Sequence, residues 1–409
     1  MVTTTIGKGA VARPDDRSSI LKRLYLLALA VFCPMVYPSL PFNTAIVDYI
    51  NVAFGGLFLL YGVLGRRKPQ IRLLFPFTLL VLASLIAMFN SPVLKINILT
   101  LVQDIYLFGF FLLLYNLLDS ERDMRLLLRI WLLVASLEGG LALANMYGSF
   151  WIVPTADPTR ANGTFANSNM LASYLGVAFF LNFQRYFDSS LLSRMLSGFL
   201  IFGGMFATKS MSAMLGFLLG MMLIMVGYWW RGSGQQRLKL GVGVFMLAAV
   251  ITVSMPMIMQ TENLFERAPK SSEGRLKIWQ AGYESFLAHP MGIGAGAFKY
   301  IGHGPYNAEG GRSELHSDYM GALVERGILG LLAHLIFLGT IISMALYCLK
   351  QAQTEREFFW GIGVGAVVLY ILIDSVTHEV MHDRHVWVIF AIIAAEEKLI
   401  KRSRARAQA

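Results

Sequence analysis

The sequence predicts an all-helical integral membrane protein with about twelve transmembrane helices. Hydrophobic residues make up 56 % of the 409 residues and charged residues only 15 %, whereas soluble domains average about 45–50 % and about 25 %. The apolar residues lie in long runs, and the lengths of these runs are close to the ~20 residues that a spanning helix needs. These runs lack the ~10-residue alternating segments of outer-membrane barrels. A soluble, disordered or fibrous protein is therefore excluded.

The apolar runs divide the chain into tails, spans and one long loop. A polar tail at 1–19 precedes helices one to nine in 20–259, a loop domain covers 260–316, helices ten to twelve lie in 317–400, and a basic tail covers 401–409. The candidate spans are 20–39, 45–64, 71–89, 96–118, 125–147, 168–185, 192–208, 211–230, 239–259, 317–349, 356–375 and 385–400. The run at 317–349 is long enough to tilt or to begin above the membrane.

The distribution of basic residues predicts the topology. If the N-terminus is cytoplasmic and the spans alternate, 24 of the 35 lysines and arginines fall on cytoplasmic segments. This bias follows the positive-inside rule and places both termini in the cytoplasm and the long loop outside. The net charge of +10 is thus interpreted as a topology signal or as contact with anionic lipids, and nucleic acid is not expected as a partner.

The two cysteines indicate neither a metal site nor a disulfide framework. Cys33 and Cys348 lie in different apolar runs, and the sequence has no CxxC motif or zinc-type Cys/His spacing. We therefore expect no structural metal.

The long outer loop has two recognisable parts. Apolar residues recur at helical spacing from Gly274 to Ala288, which predicts an amphipathic helix lying on the membrane or on the bundle. The glycine-rich segment from Met291 to Phe298 follows it and predicts turns or a close backbone approach. That segment lacks the strand and helix flanks of a phosphate-binding loop.

Polar residues near the outer ends of the spans are the candidates for function. Asn167 and Asn169 lie at a helix start, where asparagine caps well, whereas capping does not explain Arg160. Lys209, in a short turn, either snorkels to the interface or faces an anionic substrate. Arg275 is suited to phosphate, and its alternative is a solvated surface residue. His316 lies at the loop–membrane boundary and is either structural or a base near neutral pH.

The last outer loop carries a second polar cluster. It comprises His378, His382, Asp383, Arg384 and His385. Three histidines and an aspartate are metal-ligand types, but HxxxH spacing needs a helix to bring both rings together. We weigh a metal site here as the weaker interpretation.

An ordered set of motifs resembles the O-antigen ligase and O-antigen polymerase superfamily of bacterial inner-membrane glycosyltransferases. The set is R-x-N-G-T-F-x-N-x-N at 160–169, a Ser-rich turn at 210–212, G-R-x-x-x-W at 274–279, H-P-x-G-I-G-x-G-x-F at 289–298 and H-S-x-x-x-x-x-x-x-E-x-G at 316–327. One departure is visible in the turn, where many relatives have Ser-Arg and this chain has Ser210-Met211 beside Lys209.

The resemblance implies a glycosyltransferase of GT-C-like fold with a periplasmic active site and no cofactor or metal requirement. The single large outer loop is similar to the lipopolysaccharide ligase arrangement. That activity moves O-antigen from undecaprenyl pyrophosphate to lipid A-core, with both substrates entering from the bilayer. His316 is then the general base of an inverting displacement, and Arg275 and Arg160 contact the pyrophosphate. The residues expected to bind substrate are Lys209, Asn162, Asn167, Asn169, Arg312, Arg384 and His378.

Two other functions remain open at the level of sequence. An O-antigen polymerase shares the fold and the donor but uses a lipid-linked glycan as acceptor. A twelve-span transporter is the more distant alternative, since transporters often carry internal repeats and mid-membrane ionisable residues. The sequence does not indicate an oligomeric state.

Overall fold

The structure is a computed structural model, and its described residues cover most of the chain. They are 16–35, 45–64, 69–148, 150–153, 157–183, 186, 190–235, 237–238, 241, 244, 264–300 and 314–408. Arg312 and most of the predicted span at 239–259 lie outside these ranges. The described residues contain helices and no strand.

The helices follow the apolar runs in chain order. Their bounds are α1 Asp16–Phe32, α2 Ile46–Leu64, α3 Leu74–Met88, α4 Leu94–Leu117, α5 Glu121–Gly148, α6 Ser168–Leu181, α7 Leu191–Ala207, α8 Met211–Arg231, α9 Leu264–Ala288, α10 Asp318–Lys350, α11 Glu355–Asp374 and α12 Arg384–Gln408. Short 3₁₀ helices cover Phe298–Tyr300 and Val380–His382.

Eleven of the twelve predicted spans coincide with a helix, and α9 contains the predicted amphipathic segment. In the described part, α4, α5, α8, α10 and α11 are long and apolar enough to cross a membrane, and α2, α3, α6 and α7 contain shorter apolar helices. These findings support a multi-pass membrane protein. The count of twelve spans and the outer position of the loop stay predictions.

Two helix ends differ from the predicted bounds. Helix α1 ends at Phe32, well short of residue 39, because Pro34 disfavours helical backbone at the residue before it and cannot continue the hydrogen-bond ladder. Helix α12 continues through the basic tail to Gln408. The tail is therefore an extension of the last helix.

Helices α11 and α12 form the centre of the bundle. The most apolar window of α11 is 72 % buried, against 33–44 % for the other four long apolar helices, and residues 384–398 of α12 are all buried. Large apolar side chains on the outer helices are exposed instead, for example Leu59 and Phe75 at 70 %. An apolar exterior of this extent is expected for a surface that faces lipid.

Polar contacts gather at both ends of the bundle. At one end Lys22 pairs with Asp123 at 2.9 Å and Arg72 with Glu397 at 2.8 Å. Arg384 begins α12 thirteen residues before Glu397, which corresponds to about 20 Å along a helix. The loop between α11 and α12 therefore lies at the opposite end, where the candidate site is found.

Helix α10 bends sharply near its start. Gly327 has φ 69° and ψ −170°, which is not helical. The rings of Tyr319 and His334 lie 5.6 Å apart, although fifteen residues of straight helix would separate them by about 22 Å. The bend folds the first part of α10, residues 318–326, back over the bundle.

The glycine-rich segment after α9 fills the inside of this bend. The amide N–H groups of Ile293 and Gly294 donate to the carbonyls of Val324 and Glu325, at 3.2 and 2.9 Å. The Glu325 carboxylate accepts the Gly296 amide at 2.7 Å. The predicted close backbone approach is thus an approach to α10.

We expect Gly327→Ala to destabilise the protein strongly. An added Cβ would lie 2.4 Å from the Met291 carbonyl carbon and 2.5 Å from the Pro290 oxygen, on backbone that L side chains rarely adopt. Strained backbone and overpacking each cost about 1–3 kcal/mol. The thermal midpoint of the purified protein in detergent should fall clearly. The control Gly339→Ala lies on the same helix with no atom within 4 Å of its new Cβ, and an equal fall there would contradict the prediction.

Candidate active site

Arg160 fastens the loop before α6 to the turn between α7 and α8. Its Nε donates to the Thr208 carbonyl at 2.7 Å, and a terminal nitrogen donates to Asn169 Oδ1 at 2.6 Å. In that turn Lys209 is largely buried and has φ +52°, a conformation uncommon for residues other than glycine. Arg160 and Lys209, two of the predicted cations, are therefore both held at the turn between α7 and α8.

The three predicted asparagines have local partners. Asn167 caps α6 by accepting the Met170 amide at 2.9 Å. Asn162 is fully buried and donates to the Phe165 carbonyl at 3.0 Å, while Asn169 accepts from Arg160. These bonds shape the loop, and contact with substrate stays a prediction for all three.

Asp374, at the end of α11, links this turn to the last loop. Ser212, in the first turn of α8, donates to its Oδ1 at 2.9 Å. His378 Nδ1 lies 3.7 Å from Oδ2. Desolvation lowers the pKa of Arg275, and the charge of Asp374 opposes that shift. Arg275 of α9 therefore lies within electrostatic reach of this carboxylate.

His316 lies just before α10 and contacts the loop between α11 and α12. Its backbone N–H donates to Glu379 Oε1 at 3.1 Å, and its φ of +50° is unusual for histidine. Desolvation lowers the pKa of His316, and the charges of Arg275 and His378 lower it further, against the opposing charges of Glu314 and Glu379. The lowered pKa favours the neutral form of the His316 ring near pH 7.

Backbone contacts hold the last loop onto the start of α10. The Asp318 amide donates to the Ser375 carbonyl at 3.0 Å, and the Asp318 carboxylate accepts the Val380 and Met381 amides at 3.0 and 3.3 Å. Ser317 caps α10 by accepting the Met320 amide. The position of His316 is therefore set by the loop that also carries His378.

The histidines of the last loop do not converge on one point. His378 faces Asp374, His382 lies 3.7 Å from Asp104, and His385 shares a 3.1 Å hydrogen bond with Ser173. In the part of the chain that the structure describes, no group of three or more His, Cys, Asp or Glu side chains is arranged to hold a metal ion. The weaker expectation of a metal site in this loop is not supported.

Arg384 differs from its predicted environment. Its guanidinium is buried and binds Asp48 through two nitrogens, at 3.2 and 2.8 Å. Tyr106 donates to the same carboxylate at 2.7 Å. This pairing ties α12 to α2 and α4, so Arg384 has a structural partner, and its contact with substrate stays a prediction.

Sequence reasoning missed the carboxylates that organise the site. Asp374 ends an apolar span, Glu379 lies in the last loop, and Asp104 lies inside an apolar helix. An ionisable residue inside a spanning segment is a functional candidate by default. That signal was present for Asp104 and Asp374 in the sequence.

Together these elements define a helical membrane protein with a polar site at one end. At this end Arg160 is bonded to the turn that carries Lys209, and Arg275 lies within electrostatic reach of His316. Such an arrangement stabilises a developing anion and accepts a proton nearby.

Comparison with protein families agrees with this class. The family model described as O-Antigen ligase matches residues 196–335 and supports membership of the chain in the O-antigen ligase superfamily. The matched range is about a third of the chain, and it contains Lys209, Arg275 and His316 but not Arg160 or His378. A comparison with curated proteins gave no match.

The charge on His378 predicts a pH-dependent stability. Burial lowers the pKa of His378, but the carboxylate of Asp374, 3.7 Å from Nδ1, and the charge of Asp383 outweigh it and raise the pKa to about 9. A raised pKa contributes stability that is complete below about 6.5 and is lost as the pH rises to about 9. The thermal midpoint of the wild type should therefore fall by a few degrees between pH 6.5 and pH 9.5.

The variant His378→Gln isolates this contribution. Its thermal midpoint should be lower than that of the wild type at pH 6.5 and should fall less as the pH rises. The midpoints of the two proteins should therefore become equal near pH 9.5. Part of the fall should persist, because the pKa of His382 is also about 9, with Asp104 and Glu379 outweighing its desolvation. Parallel curves for the two proteins would refute the charge assigned to His378.

Proposed function

We propose that this protein ligates O-antigen polysaccharide from undecaprenyl pyrophosphate onto lipid A-core at the periplasmic face of the bacterial inner membrane. The observation that supports the proposal best is that Arg275 and His316, both within the family-matched residues 196–335, lie within electrostatic reach of each other at the end of the bundle where Asp374 ends α11. Members of the superfamily are ligase- or polymerase-type glycosyltransferases.

The donor's leaving group is a pyrophosphate, and the cations are suited to it. Arginine remains charged at all relevant pH values and binds phosphate oxygens in a fork. Arg275 comes from α9, Lys209 comes from the turn between α7 and α8, and Arg160 comes from the loop before α6 and is bonded to that turn. Fixed cations aimed at the departing oxygens lower the barrier because they need no reorganisation during the reaction.

The acceptor hydroxyl needs a base as it attacks the anomeric carbon. His316 takes the hydroxyl proton while the new carbon–oxygen bond forms, and the bond to the phosphate oxygen breaks with its electron pair leaving on the pyrophosphate. Its lowered pKa keeps the ring neutral and able to accept that proton at pH 7. One direct displacement of this kind inverts the anomeric configuration.

Both substrates carry lipid tails, so the site has to be reached from the bilayer. The polar end lies beyond apolar helices whose large side chains are exposed to lipid. The exposed apolar residues of α9, Leu276, Tyr283 and Leu287, fit a helix that rests on the membrane surface. A tail therefore remains in lipid while the head group reaches Arg275.

A reconstituted transfer assay tests this function. Purified protein would receive lipid-linked O-antigen and lipid A-core, with EDTA present and without nucleotide. We expect a ladder on the core lipid, lost by about 10²–10⁴-fold in His316→Ala. Arg275→Ala should be similarly inactive, and Arg275→Lys should rescue poorly because lysine lacks the fork.

The control is Arg402→Ala at the opposite end of the bundle, where Arg402 contacts the Asp119 carbonyl. It should transfer normally. Normal transfer by His316→Ala or Arg275→Ala would refute the assigned roles. Longer chains on the carrier lipid, with no product on the core, would identify a polymerase, and no product from folded protein would favour a transporter.

A further inference from the structure

A cleft opens beside the backbone of His316, next to Glu379, Ser317 and Asp318. It lies among α3, α4, α10 and α12 under the last loop, and its enclosed volume is about 40 Å³. That volume admits the hydroxyl groups along one edge of a sugar ring, with the rest of the ring at the open mouth. Its polar lining includes Asp104, Asp318, Arg326, His334, Glu379 and His382.

We propose that this cleft binds the acceptor sugar, a neutral and hydroxyl-rich pyranose at the end of the acceptor lipid. The inference rests on the proposed function and deepens it by assigning the acceptor to a place of its own beside His316.

The charges of the cleft are unsuited to pyrophosphate. Arg326 is already paired with Asp104 at 2.5 Å, and His382 lies 3.7 Å from the same aspartate. Glu379 and Asp318 add further carboxyl groups to the lining. The cleft therefore has no surplus of positive charge for an anion, whereas carboxylates accept hydrogen bonds from sugar hydroxyls.

Two buried nitrogen atoms in the lining point to a polar ligand. His334 is 2 % exposed, and its Nε2 has no hydrogen-bond partner among the described residues. Arg326 Nε is also buried and has no hydrogen-bond partner among the described residues. Buried polar atoms in proteins are nearly always satisfied, so these atoms mark places where hydroxyl groups complete the hydrogen bonding.

The remaining wall is apolar and partly aromatic. Phe77, Leu80 and Trp387 line it, and the Trp387 indole is held by its 2.7 Å bond to the Met381 carbonyl. A pocket with apolar walls and a few fixed polar groups is typical of sites that orient small ligands. Pyranose rings present C–H groups to such a wall and hydroxyls to the polar side.

The cleft begins next to His316, the proposed general base. Glu379 lines it and accepts the backbone N–H of His316 at 3.1 Å, and the next residues, Ser317 and Asp318, line it as well. Arg275 influences His316 from outside the cleft. A hydroxyl that projects from the cleft would therefore meet the base first and the donor beyond it.

The test is steady-state kinetics in the transfer assay, with isolated lipid A-core varied at saturating donor and the reverse. His334→Phe keeps the ring beside Tyr319 but removes Nε2. We expect the acceptor KM to rise about ten-fold, as for the loss of one hydrogen bond, with the donor KM within about two-fold. His334→Gln places an amide near the lost nitrogen and should restore most of the acceptor KM.

Asp104→Asn is a second variant, and Asp119→Asn is its control at the opposite end. Asp104→Asn should raise the acceptor KM and Asp119→Asn should not. A rise in the donor KM, or a fall in kcat alone that His334→Gln does not repair, would overturn the proposal. Absence of transfer by the wild type would instead count against the proposed function.

A binding measurement covers the case in which the variants fold poorly. Lipid A-core added without donor to the wild type in nanodiscs should raise its thermal midpoint. Undecaprenyl pyrophosphate added afterwards should raise the midpoint further, because it occupies a different place. Mutual exclusion of the two lipids would overturn the assignment.

Discussion

The bend of α10 at Gly327 is the constraint on which the site end of the bundle depends. A straight helix would carry His316 and Ser317 away from the bundle. The bend returns them to it, and backbone hydrogen bonds from Ile293, Gly294 and Ile328 hold the bend closed. The positions of His316, the loop between α11 and α12 and the cleft therefore all depend on this bend. A side chain added at Gly327 would disturb all three.

Charge differs between the two parts of the site. Arg160 is bonded to the turn that carries Lys209, and Arg275 lies within electrostatic reach of His316, whereas Asp104 and Glu379 line the cleft. Burying unpaired charge in an apolar protein is costly, so most of these groups are paired or hydrogen-bonded. Under the proposed function, this difference in charge would separate an anionic donor from a neutral acceptor.

Much of the fold was accessible from the sequence because lipid imposes a simple rule. A spanning helix needs a long apolar run, and eleven predicted runs coincide with helices in the described part of the chain. The amphipathic spacing of Gly274 to Ala288 and the cap at Asn167 were equally local signals. The bend at Gly327 was not predicted, because the positive φ depends on contacts with residues 290–294 that are distant in sequence.

The candidate site could be predicted only in part from the sequence, because it also depends on contacts between residues that are distant in sequence. His316 and Arg275 stand out as chemistry-bearing residues, but their meeting depends on Asp374 and Glu379, which come from the other end of the chain. The three histidines of the last loop looked like a cluster. The structure separates them because a short 3₁₀ helix and the start of α12 turn each ring toward a different carboxylate or hydroxyl.

The central claim is that the pyrophosphate binds at Arg275 and the acceptor sugar binds in the cleft beside His316. A cryo-electron microscopy structure of the protein in nanodiscs with undecaprenyl pyrophosphate tests it most directly. We expect the phosphates beside Arg275, on the side of Arg160 and Lys209, with the cleft lined by Asp104 and His334 left for the acceptor. Phosphate density inside that cleft would contradict the division of charge on which the mechanism depends.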